Sequence, residues 1–260
     1  MVSGLERAIE TMIHRIADVL KQNMPSIYLY GSVVMGDFKL GWSDIDILVL
    51  TRERISQDQA EELMHLRQTL LVEEPGNLYF RSFEGGMLTL SCFLNQEPDK
   101  VVYWGTSGER ITDRYDFDAF GMVQLLDSGI LLYGTDIRDA LHRPSYEDLQ
   151  AGVRRHYESI RQYARITGRD LYSYGWLLDI SRCLYTLRTG QIIAKTVAGD
   201  WALQENLCPC TSALKKAVAI RKDPLQYLED EGIYDDAQVL GECIQTYADV
   251  LESFLKEKNG

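Results

Sequence analysis

In the first half of the chain, the apolar positions switch between helical and strand-like spacing. Ser3 and Glu6 have the spacing of a helix N-terminal capping box, and apolar residues then recur on one helical face until Pro25. Residues 43–50 are polar at the start and continuously apolar at the end, which is typical of a strand in the middle of a sheet. The other predicted elements are a strand over 27–30, a helix over 58–71 and a third strand over 87–94.

In the second half of the chain, the strand signals fade and helical spacing takes over. Three stretches keep this spacing: residues 146–165, residues 171–188 up to Gly190, and residues 240–254. Glycine is frequent just beyond the C-terminus of a helix. We therefore expect an α/β domain over residues 1–143, followed by an all-α domain over residues 144–260.

The composition is that of an ordinary globular protein and excludes disordered and fibrous classes. The chain has 260 residues, of which 45% are hydrophobic and 25% are charged. With 27 Lys and Arg against 39 Asp and Glu, the formal net charge is −12 and the pI is about 4.8. This charge repels phosphate backbones and disfavours a nucleic-acid partner. It would attract a cationic small substrate, although solubility alone also explains an acidic balance.

The sequence also bears on the compartment. No run approaches the ~18 apolar residues that a membrane-spanning helix needs, and the N-terminal residues lack the apolar core of a signal peptide. The five cysteines are scattered apart from Cys208 and Cys210, and they match neither a disulfide framework nor a zinc-binding spacing. We predict a reduced, cytoplasmic protein with free thiols and no membrane partner.

Candidate chemistry is concentrated in residues 30–46. Asp44 and Asp46 are two positions apart on a predicted strand, so both carboxylates project from one face. Two like charges held this close are unfavourable unless a cation lies between them. Carboxylate oxygens suit Mg²⁺, which proteins often hold through one or two carboxylates together with substrate phosphates. The spacing therefore predicts a magnesium site.

A glycine–serine pair precedes these carboxylates, directly after a predicted strand. Gly31 permits a close approach of the backbone to a ligand, and Ser32 offers a hydroxyl and an N–H to a phosphate. Neither the pair nor the two aspartates is specific alone. Joined at this spacing, with a strand before each, they predict a phosphate-binding turn that faces a metal site.

This segment resembles the signature of the nucleotidyltransferase superfamily, which includes DNA polymerase beta and the antibiotic adenylyltransferases. Residues 181–202 resemble the helical C-terminal domain of the streptomycin/spectinomycin adenylyltransferases, and residues 126–134 fit the element that closes their catalytic domain. The resemblance implies a polymerase-beta-like domain with a mixed sheet, followed by a helical bundle. It further implies transfer of AMP from ATP to a hydroxyl of a small polar acceptor, such as a cationic aminoglycoside.

The resemblance also assigns roles to residues. The two strand carboxylates would bind Mg²⁺, the Gly-Ser turn would hold the triphosphate of ATP, and Arg182 and Lys195 would contact the same phosphates. From the residues alone, Arg182 could instead pair with Asp179, and Lys195 could be an ordinary surface lysine. Arg221, beside Lys222, stands where the resembled enzymes have a tyrosine near the nucleotide, and it is a further candidate for phosphate binding.

The chain departs from the family pattern at the third strand. The family places there a glutamate that acts as general base toward the acceptor hydroxyl, whereas residues 88–92 of this chain have no carboxylate and Thr89 lies at or near the matching position. Threonine cannot act as a base at neutral pH. Either no protein base is needed, or Glu84 or Glu97 substitutes for it, or the activity is weak or lost. The loop between Ser32 and Asp44 is also slightly longer than in the resembled enzymes.

The acceptor contacts transfer least well from the family. Trp104 and Asp170 are the nearest candidates for its tryptophan and carboxylate, but each also has an ordinary structural reading: Trp104 as a buried anchor and Asp170 as a helix cap. Two alternatives to the enzyme hypothesis stay open. One is a nucleotide-binding homologue without catalysis, motivated by the missing third carboxylate, and the other is a nucleotidylating toxin or protein modifier of the same fold.

Overall fold

The computed structural model describes residues 3–105 and 108–257, which form two compact units from interleaved parts of the chain. The first unit comprises the chain up to Val34, Asp44–Phe117 and Gln124–Arg143, and the second comprises Met35–Ser43, Asp118–Val123 and the chain from Pro144 onward. The chain therefore enters and leaves the second unit twice before Pro144. The division into domains at residues 143 and 144 stays a prediction.

A mixed sheet of six strands forms the first unit, as the resemblance predicted. Its strands are β1 (Ser26–Tyr30), β2 (Ile45–Thr51), β3 (Phe83–Thr89), β4 (Val101–Gly105), β5 (Gly108–Thr112) and β6 (Ile130–Tyr133). They are arranged in the order β5-β4-β3-β2-β1-β6, in which β2 and β3 are parallel and the other neighbours antiparallel. Both β1 and the apolar part of β2 are buried, because they lie inside the sheet and between layers.

The helices of the first unit are α1 (Gly4–Val19), α2 (Gln57–Glu73) and α3 (Leu90–Asn95), and α4 (Ala119–Ser128) passes from the second unit into the first. The predicted capping box is present: Ser3 accepts a hydrogen bond from the backbone N–H of Glu6, and the Glu6 side chain accepts one from Ser3. One face of α1 is buried, with Met12, Ile13 and Ile16 at its centre.

The prediction of a third strand over residues 87–94 is wrong in its bounds. The strand runs four residues earlier, over Phe83–Thr89, and the apolar residues that follow form α3. The hydroxyl of Thr89 accepts a hydrogen bond from the backbone N–H of Cys92, which makes Thr89 the N-terminal cap of α3. Glu84 consequently lies within β3, and Thr89 ends it.

Trp104 is a buried anchor, so the prediction that it contacts the acceptor is wrong. Its side chain on β4 is fully buried, and the indole Nε1 donates to the carbonyl of Leu63 in α2 at 3.0 Å. The guanidinium of Arg67 lies 5.7 Å from its ring centre. A buried indole needs such a partner because an unpaired N–H in the core is costly. Trp104 therefore holds α2 against the sheet.

The second unit is a helical bundle. Its helices are α5 (Tyr146–Tyr163), α6 (Gly175–Thr189), α7 (Lys195–Gln204), α8 (Thr211–Lys222), α9 (Glu231–Gln238) and α10 (Gly241–Glu257). The central helix α6 is buried on most of its surface and ends at Gly190, which has a φ of 69°. Inside the core, Ser181 of α6 and Tyr247 of α10 share a hydrogen bond of 3.1 Å.

The structure also bears on the cysteine and membrane expectations. All five cysteines are free thiols. Over residues 3–105 and 108–257, no helix has both the length and the apolar composition that crossing a bilayer requires.

Replacing Trp104 with alanine tests its role as a core anchor. We expect Trp104→Ala to lower the free energy of unfolding by about 3–5 kcal/mol, since it leaves a cavity between α2 and the sheet. Urea unfolding followed by circular dichroism measures this change. Val72→Ala is the control: Val72 lies on α2, the helix that Trp104 contacts, but is 81% exposed, and we expect a change within about 0.5 kcal/mol. Equal effects of the two substitutions would contradict the assignment.

Candidate functional site

The turn after β1 fits closely against a carboxylate of β2. Tyr30, the last residue of β1, pairs with Asp46, and Gly31 follows with a φ of 70°. A Cβ atom at position 31 would lie 2.0 Å from Oδ2 of Asp46. Only glycine fits here, because the backbone angle disfavours other residues and the carboxylate occupies the space of a side chain. The turn thus lies directly against Asp46.

A hydrogen bond joins the two halves of the motif. The Ser32 hydroxyl donates to the backbone carbonyl of Asp44 at 3.2 Å. Asp44 and Asp46 are partly exposed, whereas Ile45 and Ile47 between and beyond them are buried. Asp44 immediately precedes β2, and the alternation of exposed and buried positions indicates that its carboxylate and that of Asp46 share one face. The structure therefore brings together the glycine, the serine and the two aspartates that the sequence singled out.

A third carboxylate lies on the neighbouring strand. Glu84 of β3 is directly opposite Asp46 of β2 in the parallel register, so the two side chains share one face of the sheet. Glu84 is partly exposed, and its Oε1 accepts a hydrogen bond of 2.9 Å from the phenol of Tyr103. Burial, reinforced by the charge of Glu84, raises the pKa of Tyr103 to about 12. Tyr103 therefore stays a hydrogen-bond donor at neutral pH.

The assignment of Thr89 to the position of the third carboxylate is wrong. Thr89 lies at the far end of β3, opposite Thr51, and its hydroxyl donates to Asp99 at 3.1 Å. Of the two substitutes considered from the sequence, Glu84 is the one that the sheet register places beside Asp46, and Glu97 lies beyond the end of α3. The strand therefore does carry an acidic residue next to the motif.

Aromatic rings pack beside the three carboxylates. A Cβ atom at Gly86 of β3 would lie 2.7 Å from the ring of Tyr115, so this ring lies against the strand. Its centre is 5.9 Å from that of Tyr103 and 6.0 Å from that of Phe117. Burial raises the pKa of the Tyr115 phenol, and the nearby carboxylates, including Glu84, raise it further. The aromatic rings thus lower the local polarity beside the acidic face.

The donor set fits a magnesium ion that is completed by a ligand. Throughout the part of the chain that the structure describes, no three His, Cys, Asp or Glu side chains are grouped closely enough to form a metal cage. Asp44 and Asp46 are a pair of hard oxygen donors, and Mg²⁺ is usually held by one or two carboxylates together with phosphates and water. The pair suits an ion that arrives with a phosphate ligand.

In the second unit, Asp179 lies between two cations. Its carboxylate is 2.9 Å from Nζ of Lys195 and 3.4 Å from a guanidinium nitrogen of Arg182. Burial alone would raise the pKa of Asp179, but the charges of Lys195 and Arg182 outweigh it and hold this pKa below its usual value. The pairing of Arg182 with Asp179 that the sequence left open is therefore present. The Arg182 Nε is buried without a hydrogen-bond partner.

A cavity of about 390 Å³ opens beside Asp179 within the second unit. Aromatic side chains of Trp42, Tyr172 and Trp176 line it, together with Asp170 and Lys195. Asp170 accepts a hydrogen bond of 2.9 Å from the backbone N–H of Ser173, so it is the helix cap that the sequence allowed, and it also borders the cavity. Aromatic faces beside carboxylates suit a cationic ring compound.

Arg221 does not have the exposed position expected of a nucleotide contact. It is 3% exposed, and its Nη2 donates to the carbonyl of Asp37 at 3.0 Å. The Asp37 carboxylate is 3.5 Å away, and the ring centre of Trp42 is 5.7 Å away. Burial lowers the pKa of Arg221, against the opposing effect of Asp37. This placement gives Arg221 a structural partner and lends no support to the predicted phosphate contact.

Two family models match the chain. Residues 13–79 match the nucleotidyltransferase domain, and residues 145–248 match the C-terminal domain of the aminoglycoside adenylyltransferases. The first match contains the Gly-Ser turn and both aspartates, and the second contains Asp179, Arg182 and Lys195. The two matches together span well over half of the chain.

Proteins named spectinomycin adenylyltransferase match most of the chain. The spectinomycin 9-adenylyltransferase of Staphylococcus aureus is 23% identical over 207 residues, which are 76% of this chain and 77% of that protein. The Campylobacter jejuni protein of the same name is 25% identical over 231 residues, with coverage of 83% and 86%. The crystal structure of spectinomycin adenyltransferase AAD(9) from Enterococcus faecialis, with ATP and spectinomycin, matches with a TM-score of 0.69 at 18% identity, covering 95% and 98% of the two chains.

The domain match over residues 13–79, which contains the Gly-Ser turn and both aspartates, identifies the chain as a nucleotidyltransferase. Within the superfamily, its helical half matches the aminoglycoside adenylyltransferases, and the whole chain resembles the spectinomycin adenylyltransferases. The family and the fold predicted from residues 30–46 and 181–202 are confirmed.

Substituting Gly31 tests the contact between the turn and Asp46. Gly31→Ala and Gly36→Ala both place alanine at a φ near 70°, and this backbone conformation alone should cost each variant about 1–2 kcal/mol of stability. Only Gly31→Ala displaces the Asp46 carboxylate, because a Cβ at Gly36 has no atom within 4 Å. We expect calorimetry to show loss of Mg²⁺-dependent ATP binding in Gly31→Ala alone. Equal ATP binding by both variants would contradict this.

Acid unfolding tests the charge cluster around Asp179. A carboxylate whose folded pKa is depressed stabilises the fold above its unfolded pKa, near 3.8, and this contribution is lost as the pH falls through the folded value. In urea unfolding from about pH 7 down to about pH 2, the free energy of unfolding should therefore fall more steeply below about pH 4 for the wild type than for Asp179→Asn. Equal slopes for the two proteins would contradict the assigned shift.

Proposed function

We propose that the protein transfers AMP from ATP, with Mg²⁺, to a hydroxyl of a small polar acceptor. The observation that carries this proposal is the acidic face of the first unit, where Asp44 and Asp46 of the motif and Glu84 of β3 lie beside the Gly31–Ser32 turn. This set provides donors for a metal, a turn for phosphates and an additional carboxylate for proton transfer. The reaction belongs in the cytoplasm, where ATP is available, and involves no nucleic acid.

The two motif aspartates would hold the metal, and the turn would hold the phosphates. When bound, Mg²⁺ neutralises negative charge that develops on the transferred phosphoryl group and on pyrophosphate. Asp44 and Asp46 orient that ion from one side of β2. The Ser32 hydroxyl and the backbone N–H groups of the turn bind phosphate oxygens, which is positioning rather than covalent catalysis.

Glu84 is the proposed general base. The acceptor hydroxyl gives its proton to the Glu84 carboxylate while its oxygen bonds to the α-phosphorus of ATP. The bond between that phosphorus and the bridging oxygen breaks, and pyrophosphate leaves with the electron pair. Tyr103 donates a hydrogen bond of 2.9 Å to Oε1 of Glu84, which leaves Oε2 to accept the proton. The hypothesis of a non-catalytic homologue was based on the lack of a carboxylate on the third strand. Glu84 of β3 lies beside Asp46, so that reason no longer applies.

The second unit supplies the proposed acceptor contacts. The cavity beside Asp179 combines aromatic rings with the Asp170 carboxylate, which favours a cationic ring compound such as an aminoglycoside. The names of the relatives support the same class, because they are spectinomycin adenylyltransferases. Arg182 and Lys195 remain proposed phosphate contacts, and both cations lie beside Asp179.

Pyrophosphate release tests the proposed reaction. With ATP, Mg²⁺ and a panel that begins with spectinomycin and streptomycin, we expect turnover with at least one acceptor. Asp46→Asn should abolish it, because the metal loses a ligand. Glu84→Gln should lower kcat by about 10²–10⁴-fold, the usual contribution of a general base.

The matched control for the base is Glu97→Gln, which makes the same chemical change beyond α3 and should leave kcat unchanged. Turnover that survives Asp46→Asn, or equal losses in the two glutamate variants, would overturn the assigned roles. If no member of the panel is adenylylated while ATP binds tightly, the proposed acceptor class is wrong.

A further inference from the structure

A buried polar cluster in the second unit contributes none of the groups assigned above to metal, phosphate or proton binding. Asp37, Thr196 and Arg221 are 6%, 9% and 3% exposed. The Asp37 carboxylate accepts hydrogen bonds from the Thr196 hydroxyl at 2.5 Å and from the Thr196 backbone N–H at 3.3 Å. Arg221 donates to the Asp37 carbonyl at 3.0 Å. One aspartate thus joins two helices, α7 and α8, to a distant part of the chain.

Asp37 provides the cap that helix α7 lacks in its own sequence. The residue before α7 is Ala194, which has no side-chain group to bind the free N–H groups of the first turn. The Asp37 carboxylate binds one of these groups, at Thr196, and its charge interacts favourably with the positive end of the helix dipole. Lys195, a proposed phosphate contact, is the first residue of this helix. Asp37 therefore fixes the helix end that carries Lys195.

The same aspartate lies in the segment that separates the two halves of the motif. Ser32 and Asp44 belong to the first unit, whereas Met35–Ser43 belongs to the second. This segment is tightly folded: the backbone N–H of Lys39 donates to the Ser43 hydroxyl at 2.8 Å, and the N–H of Ser43 donates to the Lys39 carbonyl at 2.7 Å. Because this segment is continuous with both halves of the motif, holding it in place restrains the chain just after Ser32 and just before Asp44.

Burial makes the contact between Asp37 and Arg221 costly to break from one side. An exposed ion pair contributes little to stability, because water and salt screen the charges. In a buried pair, removing one partner leaves the other charge without compensation. Arg221 has a further packing contact, since its guanidinium lies over the ring of Trp42, a buried residue of the same segment. Segment 35–43 is therefore held by both a polar and an aromatic contact.

We propose that Asp37 is a positioning residue for nucleotidyl transfer. It holds segment 35–43 against the first turn of α7, which fixes Lys195 within the second unit and restrains the chain on either side of the segment, at Ser32 and at Asp44. The catalytic part of this inference rests on the proposed function, whereas the structural part does not.

Hydrogen exchange tests the structural part without any turnover. In Asp37→Ala, we expect amides at residues 31–34, at 44–46 and at Thr196 to exchange at least about tenfold faster, because local opening becomes easier. The matched control is Glu109→Ala, which also leaves a buried arginine, Arg67, without its carboxylate at 2.7 Å. Glu109→Ala should not change exchange at the motif. Equal exchange at the motif in the two variants would overturn the inference.

A second variant separates positioning from mere stability. Asp37→Ala combined with Arg221→Met removes the unpaired buried charge, so thermal stability should return toward that of the wild type. The anchor is still absent, so fast exchange at the motif should persist, and kcat should stay about 10²-fold low, as for a misplaced reactive group. Recovery of kcat together with stability would show that Asp37 only stabilises the fold. If the wild type itself has no turnover, the proposed function fails, and the exchange comparison still decides the role of Asp37.

Discussion

The Asp46 carboxylate occupies the space that a side chain at position 31 would need, and the acidic face is organised around this constraint. The antiparallel register of β1 and β2 brings the end of one strand to the start of the other, and glycine with a positive φ lets the chain turn there. The parallel pairing of β2 with β3 then adds Glu84 beside Asp46. Like charges on adjacent strands repel one another, so the pairing of Asp46 with Glu84 suits a site that also receives a cation.

The parts of the site that lie close together in the sequence could be predicted from it. Gly31, Ser32, Asp44 and Asp46 are joined by one short segment, and the spacing of strand residues alone places the two carboxylates on one face. Glu84 could be named only as one of two substitutes. Its strand begins with Phe83 and contains two consecutive glycines, which weaken the strand signal, and its pairing with β2 is a long-range contact.

Three other predictions differ from the structure, either because two local signals compete or because the deciding contact joins residues distant in the sequence. The apolar run over residues 87–94 is compatible with a strand or a helix, and the hydrogen bond from Cys92 to the Thr89 hydroxyl decides for a helix from Leu90 onward. An apolar pattern does not tell whether a tryptophan faces a ligand or the core, as Trp104 illustrates. The contact between Arg221 and Asp37 joins residues 184 positions apart, and no sequence spacing indicates it.

The interleaving of the two units limits how the polypeptide can be dissected. A fragment that ended at Arg143 would retain Trp42 and Asp37 without the helices they pack on, exposing a large aromatic ring and a carboxylate evolved for a dry environment. The complementary fragment would lack the cap of α7 and would bury the Arg221 guanidinium with no counter-ion. A split or an insertion between Arg143 and Pro144, where the sequence predicts a domain boundary, would therefore separate residues that pack on one another.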